Sequence, residues 1–174
     1  SAFHEISATS SGLEQLRNIF KLAGDLLSFN GQKTVLFIDE IHRWNKAQQD
    51  ALLPYVEQGK IILIGATTEN PSFEINNALL SRSRVFVLKM LTPADIKFII
   101  RNALANKEKG LGNLDIKLAE DADNLLANVA SGDARKALNA LEIAVKLNKK
   151  SDGQIVIDKN LISDALQNKT ILYD

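Results

Sequence analysis

The stretch Thr34-Val35-Leu36-Phe37-Ile38-Asp39-Glu40-Ile41-His42 constrains the fold more than any other. Four apolar residues, Val35 to Ile38, run straight into two adjacent carboxylates. Strands that are apolar on both faces belong to parallel sheets covered by helices. The acids then project beyond the carboxyl edge of the sheet, where open α/β sheets bind their ligands. A carboxylate pair in that position suits a hydrated Mg²⁺ and a water to be activated. Asp39 would hold the ion through its water shell and Glu40 would polarise the water, because successive side chains at a strand end diverge and can take two tasks. An Asp-Glu pair also suits the mere start of a solvated loop, so the surrounding sequence has to decide.

In chain order, Phe3-His4-Glu5-Ile6 reads as a short strand. Ser11 followed by Glu14 carries a capping-box signature, and Leu13, Leu16, Phe20, Ala23 and Leu27 keep helical spacing over residues 12–28. Asn30-Gly31 turns the chain into the strand 34–39. Asn45 is placed to cap a helix over 46–57, with Ala47, Ala51, Leu52 and Val56 on one face and Gly59 at its end. Ile61-Ile62-Leu63-Ile64 leads a second continuous apolar run into Gly65-Ala66-Thr67-Thr68. A short helix over 76–80 and a third run, Val85-Phe86-Val87-Leu88, complete an alternation that predicts an α/β fold with a parallel sheet.

The character then changes. Thr92-Pro93-Ala94-Asp95 supplies an N-cap, a proline in the first turn and an acid behind it. Helices are predicted to about residue 106, over 119–130 and over 133–146, the last two separated by Ser131-Gly132. Residues 155–157 pair with 114–116 in a small ribbon, and Asp158 caps a last helix to about 167. The reading is an α/β domain over 1–90 followed by a small helical subdomain over 91–174.

Composition excludes several classes. Lys plus Arg equals Asp plus Glu at 21 each in 174 residues, so no overall field draws the chain to nucleic acid or to a membrane surface. Lys146, Lys149 and Lys150 form the one basic cluster, which a solvated helix end explains. Without cysteine there are no disulfides and no Cys-ligated zinc, which fits a reducing cytosol. No apolar run approaches the ~18 residues of a membrane span.

Further candidates lie at the strand exits. In Thr67-Thr68-Glu69-Asn70-Pro71 a polar side chain can hydrogen-bond the attacking water or a γ-phosphate; Thr68 is the first choice and Asn70 the second. Thr and Asn are also ordinary turn residues. Ser81-Arg82-Ser83-Arg84 can present an arginine to a neighbouring subunit's nucleotide, against the plain reading of two solvated arginines. Arg135, opening a helix after Gly132-Asp133-Ala134, can reach a phosphate or simply face water. His4 and His42 have no metal-site spacing and read as packing or surface residues. The phosphate-cradling sequence G-x-x-x-x-G-K-S/T does not occur; in Gly31-Gln32-Lys33-Thr34 the lysine does not follow glycine.

From Thr34 to Val87 the chain resembles AAA+ ATPases of the clamp-loader and Holliday-junction-motor group, and more closely the replication-associated recombination protein A family (RarA or MgsA in bacteria, the Werner-helicase-interacting and Mgs proteins in eukaryotes). The residues that carry this are Leu36 to Lys46 with Gln48-Gln49-Asp50, Leu63 to Phe73, Leu80 to Arg84, and Gly132 to Arg135. Ser7-Ala8-Thr9 with Ser11-Gly12 resembles the segment that follows the phosphate-loop helix. The resemblance implies that Asp39 and Glu40 are the Walker-B pair, Thr68 the sensor-1 position, Arg82 the arginine finger acting in trans and Arg135 the sensor-2 arginine of the lid. It departs at Trp44, where the family leads one to expect Phe, and at Ser83, where clamp loaders usually have Cys.

The resemblance further implies an ATP- and Mg²⁺-using, DNA-dependent ATPase at stalled or gapped forks. Its expected partners are fork, gap or junction DNA, single-stranded-DNA-binding protein and replisome components, and its expected state is a homotetramer in a cytoplasmic, nucleoid-associated setting with no membrane. Family members carry an N-terminal segment with the phosphate loop and the central strand, and a C-terminal oligomerisation region toward which Leu172-Tyr173-Asp174 would lead. The expectation is therefore a partial sheet whose unpaired edges favour self-association, in a 174-residue chain that turns over no ATP by itself. Two other readings compete with this one. A superfamily-2 helicase D-E-x-H box fits Asp39 to His42, but Ser7-Ala8-Thr9 precedes it where such helicases carry that motif afterwards. A degenerate, non-catalytic clamp-loader-like subunit is opposed by the intact Asp39, Glu40, Arg82 and Arg135.

Overall fold

A computed structural model describes residues 1–148 and 153–171, which divide into two compact units, 1–87 and 88–174. Lys149 and Lys150 of the basic cluster, and Leu172, Tyr173 and Asp174, lie outside the described residues.

The first unit is built on three parallel strands, β1 (Ala2–Ser7), β2 (Thr34–Asp39) and β3 (Ile61–Gly65), in the order β1-β2-β3. Their register sets Ser7 opposite Asp39 and Ile38 opposite Gly65, so the three strands end together. One face is closed by α1 (Leu13–Asn30), whose Leu16, Ile19, Phe20 and Ala23 pack into one core with Leu36 and Ile38 of β2, themselves fully buried. The apolar strand reading implies cover on both faces, yet Phe3, Ile62 and Ile64 remain exposed.

Helix α1 ends on Gly31 at φ 61°, whose N–H donates to Leu27 O while Gln32 N–H donates to Leu26 O. This is the left-handed closure that glycine permits. Its start differs from expectation. The N-cap is Gly12, with no side-chain cap bond, because Ser10 and Ser11 both donate backbone N–H to Ser7 O and are held in the preceding turn.

The single helix expected over 46–57 is two, α2 (Lys46–Asp50) and α3 (Leu53–Glu57). Pro54 has no N–H to continue the ladder and sits in the first turn of α3 instead. Asn45 caps α2 in a reciprocal box with Gln48. Ala47, expected on the apolar face, is exposed, and the buried position of α2 is Gln49. Tyr55 of α3 stacks on Phe20 of α1 with ring centroids 3.6 Å apart. Two short helices follow β3, α4 (Pro71–Glu74) and α5 (Asn77–Leu80), capped by Asn70 and Asn76.

The run Val85 to Leu88 is not a strand. Residues 84–92 carry no regular structure, and all four side chains are exposed, Leu88 by 89%. An apolar run becomes a strand only where a neighbouring strand offers its backbone, and the sheet of the described residues ends at β3.

The second unit packs α6 (Pro93–Ala105), α7 (Glu120–Val129), α8 (Ala134–Asn148) and α9 (Lys159–Ile171) around Ile96, Ile100, Leu126, Leu141, Ile157 and Ile162. Two short parallel strands, β4 (Ile116–Leu118) and β5 (Ile155–Ile157), form the ribbon, with Ile116 opposite Ile155. The ribbon begins two residues later than the predicted 114–116, because Leu114 N–H is taken by Leu111 O in a turn. Asp158 accepts from Leu161 N–H at the start of α9, which runs past the expected end at 167.

Candidate active site

Asp39 is the last residue of β2 and is exposed; its Oδ1 accepts the backbone N–H of Glu40 at 3.1 Å. Glu40 leaves the strand in the left-handed region, φ 54° and ψ 40°. For a residue with a Cβ this costs roughly 1–2 kcal/mol, and such strain is a property of functional sites more than of ordinary turns. The chain then closes a single 3-10 turn, Ile41–Arg43. Arg43 N–H donates to Glu40 O at 2.8 Å and Ile41 N–H to Ala66 O at 3.0 Å, so the turn is stitched onto the exit of β3.

Gly65 makes this approach possible. A Cβ there would stand 3.1 Å from Ile41 Cδ1 and 3.2 Å from Ile41 Cγ2. With Ile41 buried against the strand end, His42 comes to lie beside Thr67. The imidazole is almost enclosed, its side chain 8% exposed. Nδ1 is 2.8 Å from Thr67 Oγ1, and Nε2 is 3.2 Å from Glu40 Oε2. Thr67 Oγ1 also accepts the backbone N–H of Glu69 at 3.0 Å.

A carboxylate only accepts, so the placement of hydrogen that favours the 3.2 Å approach to Glu40 is on Nε2 of the imidazole. In the neutral ring Nδ1 is then the acceptor, and the Thr67 hydroxyl donates to it. A line of close polar contacts runs from Glu69 N–H through Thr67 and His42 to the Glu40 carboxylate. Neither His42 nor Thr67 is singled out by the sequence for this place, and their 25-residue separation gives no local signal.

The remaining predicted residues are placed as follows. Thr68 is exposed next to Thr67. Asn70 uses its side-chain oxygen to cap α4, accepting from Ser72 N–H at 3.0 Å. Arg82 turns onto its own unit: it pairs with Glu57 at 2.7 Å and donates to Ala78 O at 2.8 Å and to Ser81 Oγ at 3.2 Å. Arg84 stands over the Phe86 ring at 5.3 Å. Arg135 belongs to the second unit, exposed in the first turn of α8, where its N–H is held by Asp133 Oδ1 at 2.9 Å. The turn before it, Ser131-Gly132, passes through positive φ at both residues.

A third residue that sequence reasoning missed is Gln49, buried to 1% exposure. Its amide donates to Trp44 O and Glu74 O, each at 3.0 Å, and accepts from Asn76 N–H at 2.8 Å. It ties α2 to the loop that leads to Arg82. Beside it, Asn76 also donates to the Asp50 carboxylate.

Among the described residues no group of three or more His, Cys, Asp or Glu could hold a metal by itself. Asp39 suits a Mg²⁺ in another way, as one oxygen ligand among waters and phosphate oxygens, the usual manner of that ion. Its exposed carboxylate at the sheet edge fits that task.

Residues 2–93 match the family model of the ATPases associated with various cellular activities (AAA), and residues 112–174 match the AAA C-terminal domain. The chain belongs to the AAA family. Within it, the likeness is to replication-associated recombination protein A. The chain is 50% identical to that of Coxiella burnetii over 161 residues, 92% of this chain and 36% of that protein, and 40% identical to that of Bacillus subtilis over 174 residues, 99% and 40%. It therefore spans well under half the length of these relatives. In fold it is similar to the Thermotoga maritima RuvB Holliday junction branch migration motor, with a TM-score of 0.69 at 24% identity over 97% of this chain and 53% of that one. No helix among the described residues is long and apolar enough to cross a membrane.

Proposed function

We propose that the full-length protein is a DNA-dependent ATPase that acts at stalled or gapped replication forks, and that this chain supplies the water-activating half of its site and its lid. Residues 1–90 form the rear of the ATPase domain, and residues 91–174 form the helical lid. The observation that carries the reading is the acid pair at the carboxyl edge of β2 beside the Thr67-Thr68 exit of β3, in a chain of the AAA family.

Glu40 accepts the proton of the water that attacks the γ-phosphate. Asp39 holds Mg²⁺ through water; when bound, the ion neutralises charge on the phosphates. Thr68, exposed at the β3 exit, orients the water or the γ-phosphate. It is preferred to Asn70, whose side-chain oxygen is engaged in capping α4. Arg82 is the finger that reaches a neighbouring subunit's nucleotide, and Arg135 contacts phosphate from the lid. The names of the relatives support replication-associated recombination as the setting. Single-stranded-DNA-binding protein and replisome components are the partners, and the assembly is a homotetramer in the cytoplasm at the nucleoid.

The test is ATP turnover by the full-length protein with Mg²⁺, measured with and without forked or gapped DNA. Turnover stimulated by such DNA is the expected result. No turnover in the presence of both overturns the assignment.

A further inference from the structure

We propose that His42 is a positioning residue which, through Thr67, couples the conformation of the β3 exit at residues 67–69 to the orientation of the Glu40 carboxylate. The inference rests on the reading of Glu40 as the group that activates water, and adds a residue to that site.

Three observations carry it. Glu40 sits in the left-handed region, which redirects its side chain away from the alternation of β2. A carboxylate at such a position has no strand geometry to aim it, so its direction has to come from the contacts it makes. The His42 ring supplies one at 3.2 Å and is itself held at 2.8 Å by Thr67. Neither ring nitrogen is left to solvent, since the side chain is 8% exposed.

The direction of the protons matters as much as the distances. Thr67 Oγ1 accepts the Glu69 N–H, and its own proton is available to Nδ1. Hydrogen on Nε2 is the arrangement of a neutral imidazole that turns a donor toward the Glu40 carboxylate, and a Thr67 hydroxyl donating to Nδ1 favours it. A rotation of the 67–69 turn that withdraws the Thr67 hydroxyl removes the bond that holds the ring in place, and the carboxylate loses the neighbour that lies 3.2 Å from it. Thr68, the residue proposed to meet the γ-phosphate, lies inside that turn. Contact at Thr68 and direction at Glu40 are thereby linked through a path of two side chains.

A histidine that merely filled space would be replaceable by shape. One that orients a carboxylate affects turnover while leaving nucleotide affinity alone. The experiment compares His42→Ala, Thr67→Val, the double variant and Thr67→Ser in the full-length ATPase. Nucleotide binding is followed with a fluorescent ATP analogue, and Glu40→Gln is the reference. Losing an orienting partner of this kind costs roughly 10- to 100-fold in activity. The expected result is a kcat lower by about that factor in His42→Ala and in Thr67→Val, with nucleotide affinity retained. The double variant falls no further than the worse single one, since both act on one path, and Thr67→Ser recovers the turnover that Thr67→Val loses.

Unchanged or raised kcat in the two single variants, with Glu40→Gln inactive, overturns the role of His42 and leaves the reading of Glu40 intact. Multiplicative losses in the double variant also overturn it. Normal turnover in Glu40→Gln overturns both. Should His42→Ala fail to fold, the contrast between Thr67→Val and Thr67→Ser decides alone.

Discussion

Gln49 and Arg82 show how differently two polar side chains of one unit are held. Gln49 is buried with three partners, two carbonyls and one N–H, on three separate residues. Replacing it with Leu keeps the volume and strands those groups away from water, at about 1–3 kcal/mol for each group left unpaired. Gln49→Leu should therefore lower the unfolding free energy by at least about 2 kcal/mol in denaturant titration; a change below about 0.5 kcal/mol would contradict the buried network. Arg82 is partly exposed, and its bond to Glu57 is a surface pair worth about 0–1 kcal/mol. It can leave Glu57 at small cost to reach another subunit, as a finger must. Arg82→Ala in the full-length protein should leave stability within about 1 kcal/mol and nucleotide binding intact, while turnover falls by about 10³-fold or more. Unchanged turnover would move the role to Arg84.

At the scale of elements, the start of α6 gives a pH prediction with a definite sign. The Thr92 hydroxyl at 2.7 Å, and then its backbone N–H at 2.8 Å, hold the Asp95 carboxyl below its ordinary value of 3.8. A group whose pKa is lowered on folding stabilises the fold above its unfolded value, and the contribution is lost as pH falls through the folded one. The Tm of the wild-type chain should exceed that of Asp95→Asn at neutral pH, and the gap should close below pH 3.8. A gap that widens on acidification would contradict the capping box.

The elements also show what the sequence could disclose. Strands β2 and β3 were legible as continuous apolar runs of strand length, and helix α1 by the helical spacing of its apolar residues. The break between α2 and α3 was written in Pro54 but outweighed by the apolar pattern around it. Val85 to Leu88 carried a strand's composition and formed none, since a strand is a property of a pair. The Asp39-Glu40 pair was legible because both residues are neighbours in sequence. Its link to Thr67 through His42 was not, because that depends on Gly65 admitting Ile41 and on Glu40 turning left-handed. His42 accordingly read as a packing residue until the fold placed it.

On the scale of the whole molecule, the balanced charge gives this chain no overall field toward DNA, so the DNA dependence proposed for the full-length protein has to come from local patches or from other parts of that protein. Strand β3 is the outer strand of its sheet and leaves Ile62 and Ile64 exposed, an edge suited to pairing with a second copy. The 174-residue chain by itself should gain mass with concentration in sedimentation, and a monomer at every concentration would contradict this. It should also turn over no ATP, having no phosphate-cradling glycine loop in its sequence. The central claim is that Glu40, aimed from the end of β2, activates the water. It is tested most directly by steady-state ATP hydrolysis of full-length Glu40→Gln, with nucleotide binding measured on the same sample. The account predicts that binding persists and that kcat falls by about 10²-fold or more; Glu40→Gln turning over ATP at the wild-type rate would contradict it.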